Sequence, residues 1–244
     1  MKRKIKNVYR KPHIKRCVLK PRSKPKPLTE EEVEMAMMAP VPDEGPIPTC
    51  IDWGAVPPEA YPPKLEMWGF VDVPAVGAPD GILKELRKVF AMSRQYSLKG
   101  FPINVCIYGP PGSGKTSTVQ AFAAEAHLPY WQVIGGGVER LLGTVTIKGG
   151  KHVFIEGITP RAVRIGGILH FDQPNLMDPK VLPRLNELLD RRQLTIEETG
   201  EVIKAHPDLF IVFTSGLPSK GVEAIPLSIR KRLTYAFRMD YPPP

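Results

Sequence analysis

The sequence predicts an α/β fold with three layers, in which helices cover both faces of a central parallel sheet and β-hairpins project from it. An apolar run at 105–108, suited to a strand buried on both faces, leads into a glycine-rich loop. Residues 116–126 follow without proline or glycine, and their apolar side chains recur at helical spacing. A second apolar run, 168–172, ends in an aspartate. Buried strands that alternate with helices are typical of parallel sheets, because each parallel pairing needs a crossover connection.

The loop between the first strand and its helix matches the phosphate-loop pattern G-x-x-x-x-G-K-[ST] at every fixed position. Its residues are Gly109, Pro110, Pro111, Gly112, Ser113, Gly114, Lys115 and Thr116. In such a loop the glycines allow close approach of the backbone, and N–H groups at the helix N-terminus hold phosphate oxygens. Lys115 is then expected to meet the β- and γ-phosphates, and Thr116 to ligate Mg²⁺. The motif predicts binding of a nucleoside triphosphate with Mg²⁺; the alternative is a chance glycine-rich turn.

The buried strand at 168–172 supplies a second candidate element of this site. Its last residue, Asp172, has the position of an aspartate that holds Mg²⁺ through water beside a phosphate loop. The alternative is a helix cap, since any buried strand can end in an aspartate by chance. His170 lies inside the apolar run, and we expect it to be a packed core histidine rather than a ligand.

Composition divides the 244 residues into a basic arm, a proline-rich strap and one core. Residues 1–27 carry 12 lysines and arginines and no acidic residue, and prolines interrupt them, so we predict a disordered arm. Such an arm binds nucleic acid by releasing counterions, or it only keeps the protein in solution; both interpretations stay open. Residues 80–244 have enough apolar side chains to bury one hydrophobic core.

Residues 28–79 are predicted to form a short helix followed by the strap. Of the 28 prolines, 14 lie before residue 80, which leaves little regular structure in this part. A capping pattern, Thr29 followed by Glu32, predicts a helix that ends near Met38. Beyond it we expect an extended connector with three aromatic anchors onto the core: Trp53, Trp68 and Phe70.

Hydrophobic periodicity and turn residues predict the other elements of the core. Helices are predicted at 80–98, 138–142, 161–165 and 226–232, and a further helix is predicted to begin at Asp178-Pro179. Strands are predicted at 130–134, 209–214 and 235–239, and hairpins at 144–155 and 194–205, turning at Gly149-Gly150 and Thr199-Gly200. Thr159 and Pro160 are expected to cap and begin the helix at 161–165.

The cysteines and the apolar runs indicate where in the cell the protein is expected. Cys17, Cys50 and Cys106 are scattered and no two have the spacing of metal ligands, so we expect free thiols in a reducing compartment. No apolar run approaches the roughly 20 residues that span a bilayer, and the N-terminus lacks the apolar core of a signal peptide. We therefore expect a soluble protein of the cytoplasm with no membrane association.

Several segments of the second half carry a family resemblance. They are Leu141-Leu142-Gly143, Phe154-x-x-Gly157, Arg161-Ala162, Gly166-Gly167-Ile168-Leu169 with Asp172, Leu188-Leu189-Asp190-Arg191-Arg192, Ala205-His206-Pro207-Asp208, and Ser228-x-Arg230-x-Arg232 to Asp240-Tyr241-Pro242-Pro243. They resemble the MoxR branch of the AAA+ ATPases, above all the CbbQ/NorQ activators and the small ATPase subunit of cobaltochelatase. The resemblance runs from about residue 80 to the end of the chain.

This resemblance implies a P-loop NTPase of the AAA+ type that binds ATP and Mg²⁺ and assembles as a homo-oligomeric ring, usually a hexamer, with ATP between subunits. It assigns Arg232 as the arginine that reaches the γ-phosphate of a neighbouring subunit, with Arg230 as the second choice. Surface charge at a helix end is the alternative for both. It also implies a von Willebrand A-domain protein as a partner.

Three departures from the family pattern bear on catalysis and assembly. Gln173 stands where a glutamate usually activates water, and an amide cannot accept a proton at neutral pH. This is consistent with an ATP-holding protein, an engineered trap, or a site that uses another acid such as Glu187 or Asp178. The usual sensor asparagine is replaced by Thr214 or Ser215, and the chain stops where a small helical lid domain would begin.

Three functions stay open at the level of the sequence. The leading one is an ATPase that remodels or activates a partner protein complex. The second is an ATP-controlled assembly or scaffold protein with little hydrolysis, which Gln173 favours. The third is a nucleic-acid-associated ATPase that uses the basic arm at residues 1–27.

Overall fold

The computed structural model describes residues 49–64, 72, 74–97, 100–217 and 225–241. The basic arm, the helix predicted at 29–38 and two of the aromatic anchors, Trp68 and Phe70, lie outside these residues. Cys17, Pro242 and Pro243 also lie outside them.

A parallel sheet of five strands forms the centre of the core. The strands of the described part are β1 (Asn104–Tyr108), β2 (Tyr130–Gly136), β3 (Gly143–Lys148), β4 (Lys151–Glu156), β5 (Gly167–Met177), β6 (Gln193–Ile196), β7 (Glu201–Lys204), β8 (Leu209–Ser215) and β9 (Tyr235–Arg238). Strands β2, β5, β8, β1 and β9 lie side by side in that order, and each pairing is parallel. Every residue of β8 is buried, as expected for a strand inside a sheet that is covered on both faces.

Helices pack against this sheet and bury its faces. In the described residues they are α1 (Ile82–Ser97), α2 (Lys115–Glu125), α3 (Val138–Leu141), α4 (Ile158–Ile165), α5 (Leu182–Arg191) and α6 (Leu227–Arg230). Phe90 of α1 and Phe122 of α2 meet Phe210 of β8 edge-to-face, with ring centres 5.4 to 6.1 Å apart. Phe171 and Phe213 stack on the opposite face, since side chains alternate along a strand. The predicted α/β fold with a central parallel sheet is confirmed.

Two antiparallel hairpins, β3–β4 and β6–β7, lie outside the central sheet. Gly149 and Gly150 turn the first hairpin with φ values of 57° and 75°, the left-handed backbone that a two-residue hairpin turn requires. Gly200, at the second turn, has a φ of 70°. Both hairpins predicted from the sequence are present, and most side chains of β3 and β4 are exposed or half-buried.

The predicted N-cap and start of α4 are each wrong by two residues. The helix begins at Ile158 with Gly157 as its cap, so Thr159 lies inside the first turn. Its hydroxyl is buried and has no hydrogen-bond partner among the described residues. Gly157 is needed because a Cβ there would lie 2.6 Å from the backbone oxygen of Leu141. The sequence showed the Thr-Pro capping pair but not this close approach between two segments of the chain.

Other elements differ from prediction mainly in length. Strand β2 continues two residues beyond the predicted 134, and β5 continues five residues beyond Asp172. The side chain of Asp178 caps a short 3₁₀ turn at 179–181, and α5 follows only at Leu182. Pro183 is accommodated in the first turn of α5, where its missing N–H costs nothing.

The described part of the strap, residues 49–64, is attached to the core. It contains two short 3₁₀ turns and buries three apolar side chains, Ile51, Val56 and Ala60. Trp53 is half-buried against the core, in line with its predicted role as an anchor. Among the residues that the structure describes, no helix is both long enough and apolar enough to cross a membrane.

Candidate nucleotide-binding site

The glycine-rich loop lies at the carboxyl edge of the sheet, between the end of β1 and the start of α2. Gly109 has no room for a side chain, because a Cβ there would lie 1.8 Å from the backbone oxygen of Met239. Gly112 and Gly114 have φ values of 76° and 90°, which glycine adopts at little cost. Gly114 is also the N-cap of α2, so the first N–H groups of that helix lie directly behind the loop. This is the geometry of an anion site at a helix N-terminus.

The ammonium group of Lys115 lies over the loop. It donates to the backbone oxygens of Gly109 (3.1 Å) and Pro110 (2.6 Å) and to the hydroxyl of Ser113 (3.3 Å). Burial lowers the pKa of Lys115, while the nearby carboxylate of Asp172 opposes this shift. Its partners are neutral loop atoms, so the positive charge is available to a phosphate group.

The carboxylate of Asp172 joins two hydroxyl groups at the same edge of the sheet. Thr116 Oγ1 donates to Asp172 Oδ2 at 3.2 Å, and Thr214 Oγ1 donates to Asp172 Oδ1 at 2.7 Å. Carboxylate and hydroxyl oxygens are the ligands that Mg²⁺ prefers, so the side chains of Thr116 and Asp172 fit this ion. The structure therefore brings together Lys115, Thr116 and Asp172, which the sequence proposed from two separate motifs.

His170 extends this group of polar side chains into the core. Its Nε2 lies 2.7 Å from Thr214 Oγ1, and its Nδ1 lies 2.7 Å from the hydroxyl of Tyr130. Burial lowers the pKa of His170 to about 4, against the opposing effect of Asp172, so the ring is neutral at physiological pH. The sequence predicted a packed core histidine, and His170 is indeed fully buried. Its link to Thr214 and Asp172 was missed, because it depends on which strands are neighbours.

Gln173 marks the end of the regular part of β5. Its φ is 53°, a left-handed backbone that is uncommon for residues other than glycine, and its side chain is exposed. The pairing of β5 with β2 also shifts register beyond this point, between Ile134 and Gly136. The backbone therefore changes direction directly after Asp172, at the edge of the candidate site.

The two substitute acids proposed from the sequence have different surroundings. Both carboxylate oxygens of Glu187 accept hydrogen bonds, from the Gln193 amide (2.8 Å) and from the hydroxyl and N–H of Thr195 (both 3.1 Å). These hydrogen bonds lower the pKa of Glu187 despite some desolvation, which makes it a poor general base. The carboxylate of Asp178 accepts only the N–H of Lys180 among the described residues, and Asp178 follows directly after β5. Of the two, Asp178 is nearer to the carboxyl edge.

Arg232 and Arg230 lie at the opposite, amino edge of the sheet. Asn104, the first residue of β1, donates to the backbone oxygen of Arg232 at 2.9 Å, whereas the phosphate loop follows the last residue of β1. The five residues of β1 separate the two edges by about 13 Å. The guanidinium of Arg232 binds Asp190 (2.8 Å), and the side chain of Arg230 is exposed. Neither arginine joins the group around Asp172 in its own chain.

A second polar cluster lies at the amino edge, where Cys50, His206 and Asp208 approach within 4.8 Å of one another. The N–H of Asp208 donates to His206 Nδ1 (3.1 Å), so the ring proton is on Nε2, which faces Cys50 Sγ at 3.7 Å. The carboxylate of Asp208 accepts the N–H of Cys50 (2.7 Å) and Arg94 Nε (2.5 Å). His206 Nδ1 and both carboxylate oxygens of Asp208 thus have partners within the protein, and the cluster holds the strap on the core.

The sequence predicted free thiols, and among the described cysteines Cys106 is one. Cys106 lies inside β1, and burial raises its pKa to about 12, which makes it unreactive. The proximity of Cys50 to His206 and Asp208 was not predicted, because these residues are more than 150 positions apart.

The sequence matches a known family of ATPase domains. The profile of the AAA domain of the dynein-related subfamily matches residues 104–233. Uncharacterized proteins of Staphylococcus haemolyticus, Staphylococcus epidermidis and Staphylococcus aureus are 42%, 41% and 39% identical to this chain over 118 residues. In each case the match covers 45% of this chain and 45% of the relative. The chain thus spans less than half of the length of these relatives.

Proposed function

The chain belongs to the dynein-related subfamily of AAA domains, an ATP-binding family of AAA+ ATPases, and we propose that it is a ring-forming Mg·ATP-dependent remodeller or activator of a partner protein complex. The observation that carries the proposal is the convergence of Lys115, Thr116 and Asp172 beside the N-terminus of α2. These are the groups that hold a triphosphate and its metal ion in phosphate-loop enzymes.

The proposed roles follow from the chemistry of each side chain. Loop N–H groups and Lys115 bind the β- and γ-phosphates, while Thr116 and Asp172 hold the metal. Bound Mg²⁺ would neutralise charge on the phosphate oxygens. Thr214 keeps the carboxylate of Asp172 in place, and Gln173 orients the attacking water by hydrogen bonding without accepting its proton.

The position of Arg232 supports a site that is completed by a neighbouring subunit. An arginine at the edge opposite its own phosphate loop has no route to its own γ-phosphate, but in a head-to-tail ring it would face the loop of the next subunit. Arg230, on the same short helix, is the second candidate. We propose a homo-oligomeric ring, a hexamer by resemblance to the MoxR branch and to the CbbQ/NorQ activators.

ATP binding and steady-state hydrolysis, measured on the same sample, test the core of this proposal. Lys115→Ala should weaken ATP binding on the order of 100-fold, because charge-assisted bonds to phosphate are lost, and should leave the unfolding temperature unchanged. Lys204→Ala, which removes an exposed lysine of β7, is the matched control and should bind ATP normally. Equal ATP affinity in the Lys115→Ala protein would refute the assignment of the site.

A mixing experiment tests the shared active site. Lys115→Ala and Arg232→Ala subunits should each be inactive alone, because one lacks ATP and the other lacks the arginine. Mixed rings contain interfaces in which both groups are intact, so part of the activity should return. If sedimentation shows mixed rings and no activity returns, Arg232 does not act on a neighbour, and Arg230→Ala should be tested in its place.

A second candidate function is an ATP-controlled assembly or scaffold protein, which the exposed amide of Gln173 supports. In this case ATP would shift monomers toward rings while turnover stays negligible, because binding energy is used only at the subunit interface. Tight ATP binding with a turnover rate that is not raised by any partner protein would favour this function. A partner-stimulated rate would favour the remodeller.

The partners are proposed from resemblance and composition. A von Willebrand A-domain protein is the expected target adaptor, and the cytoplasm is the expected compartment. Residues 1–27 are proposed to bind nucleic acid by charge. Binding to a DNA duplex should weaken steeply with salt and disappear when residues 1–27 are deleted, and binding that survives the deletion would exclude the arm.

A further inference from the structure

Four buried or half-buried side chains form an unbroken hydrogen-bonded line across strands β2, β5 and β8. It runs from the hydroxyl of Tyr130 to His170 Nδ1, from His170 Nε2 to Thr214 Oγ1, and from Thr214 Oγ1 to Asp172 Oδ1, with all three distances 2.7 Å. His170 and Thr214 are completely buried, and Tyr130 is 8% exposed. The line therefore lies in the core and ends on the carboxylate of the candidate site.

The protons available to these four side chains fix which group donates and which accepts in each of the three hydrogen bonds. A threonine hydroxyl has one proton, and the ionised carboxylate of Asp172 is only an acceptor, so Thr214 donates to Asp172. Thr214 must then accept from His170, which places the ring proton on Nε2. The other nitrogen, Nδ1, has no proton and accepts from the hydroxyl of Tyr130. Each donor points toward Asp172.

We propose that His170 and Tyr130 are positioning residues, which hold the proton of Thr214 on Asp172 and so fix the carboxylate for Mg·ATP. This inference rests on the proposed function, because it assumes that Asp172 serves the metal. Tyr130 has the decisive part, since its hydroxyl occupies Nδ1 and keeps the ring proton on Nε2. With the proton on Nδ1, His170 Nε2 would become an acceptor and would compete with Asp172 for the one proton of Thr214.

Asp172 needs this support because one of its two hydrogen-bond donors, Thr116, is also a proposed metal ligand. Its Oδ2 accepts from Thr116 and its Oδ1 accepts from Thr214. Once Thr116 is used as a metal ligand, Thr214 is the remaining described donor that orients the carboxylate. A hydroxyl that can rotate is a weak support, whereas one that is held by a fixed imidazole donor is restricted to a single orientation.

A line of polar groups in the core is costly to bury, and packing does not require it. The neighbouring core positions of β5 are apolar, and His170 and Thr214 are completely buried among them. An apolar residue at position 170 would fill the same space without that cost. The role that explains these buried polar groups is orientation of the Thr214 hydroxyl and, through it, of the Asp172 carboxylate.

The first test is the tautomer of His170 in the nucleotide-free protein, measured from the ¹⁵N shifts of its ring by NMR. We expect a proton on Nε2 and none on Nδ1. Tyr130→Phe removes one oxygen atom and should let the Nδ1-protonated form appear. A wild-type ring with its proton on Nδ1 would overturn the inference, and this measurement does not depend on whether the protein hydrolyses ATP.

The second test compares ATP affinity with and without Mg²⁺ in variants of His170 and Thr214. His170→Leu, which has no donor, should weaken Mg·ATP binding about tenfold and leave the affinity for metal-free ATP unchanged. His170→Gln, whose amide N–H can replace Nε2–H, should bind Mg·ATP nearly as well as the wild type. Thr214→Val should show the same loss as His170→Leu, and the double variant should be no worse, because both changes break one line.

The outcomes separate this inference from the proposed function. Additive losses in the double variant, or equal losses with leucine and glutamine at 170, would show that His170 serves only packing. Absence of ATP binding in the wild type would refute the proposed function and leave the tautomer result standing. If His170→Leu does not fold, Tyr130→Phe still decides the matter: unchanged Mg·ATP affinity together with an unchanged tautomer would overturn the proposal.

Discussion

The two edges of the central sheet carry similar polar side chains but use them differently. At the amino edge, both carboxylate oxygens of Asp208 are occupied by protein donors, and the guanidinium of Arg192 donates to the backbone oxygens of His206 and Leu209. At the carboxyl edge, Lys115 donates to neutral oxygens of its own loop. The charged groups of the amino edge are buried and hold chain segments together, whereas Lys115 at the carboxyl edge stays partly exposed.

This contrast shows that deep burial of a charge does not by itself identify a functional site. Asp208 is fully buried, and burial lowers the pKa of Arg192 to about 10, yet both hold segments of the chain together. Lys115 and Asp172 are only half-buried, and their hydrogen-bond partners are neutral loop oxygens and hydroxyl groups. The useful criterion is whether a charged group stays accessible to a ligand, which can then replace its neutral hydrogen-bond partners.

The largest expected effect concerns the chemistry at the carboxyl edge. Gln173→Glu should raise ATP turnover on the order of 100-fold or more, because a carboxylate at this exposed position can accept the proton of water. The affinity for ATP should change little. Steady-state hydrolysis by both proteins, each at saturating Mg·ATP, is the measurement.

An unchanged rate would have a specific meaning. If the wild type already turns over quickly, another acid activates water, and Asp178→Asn should abolish the activity, since both oxygens of Glu187 are occupied. If the wild type is slow and Gln173→Glu does not rescue it, the scaffold function is the better conclusion.

The next effect is one of stability at the amino edge. Asp208→Asn should lower the free energy of unfolding by about 2 to 3 kcal/mol, because Arg94 loses its partner and a buried acceptor becomes a donor. Denaturant titration with and without ATP is the measurement. ATP affinity should be normal, the reverse of the result expected for Lys115→Ala, and a loss of both properties would contradict the proposed division between the edges.

A third effect is the dependence of stability on pH that comes from His170. Burial lowers its pKa from 6.5 to about 4, so the unfolded chain binds the proton more strongly than the folded protein does. The stabilising contribution is therefore complete above pH 6.5 and is lost as the pH falls through 4. The loss amounts to about 3 kcal/mol. His170→Gln should show a shallower decline in urea titrations over this range, and an identical decline would assign the pH dependence to other groups.

The smallest effect is expected for Asp190→Asn. The ion pair between Asp190 and Arg232 is partly exposed, so its removal should change the free energy of unfolding by less than about 1 kcal/mol. ATP turnover by assembled rings is the informative measurement. A fall in turnover without loss of stability would indicate that Asp190 orients Arg232 toward the neighbouring subunit, whereas a large loss of stability would make the pair structural.

Much of the fold could be predicted from short-range patterns. The apolar strands, the helix after the phosphate loop and both glycine-turned hairpins depend on spacing within about ten residues, which the sequence displays directly. The wrong start of α4 and the unpredicted ends of β2 and β5 have another origin. They depend on contacts such as Gly157 against Leu141, between segments that meet only in the folded chain.

The sequence by itself determined the phosphate loop and Asp172, because each is a local pattern whose chemistry is readable from residue type. It also identified Gln173 as the unusual position. The partners of those residues were decided by the tertiary structure, since the order β2-β5-β8 places Tyr130, His170 and Thr214 on one face of adjacent strands. The physical reason is that hydrogen bonds across a parallel sheet join residues far apart in the chain, and strand order is not encoded in any local spacing.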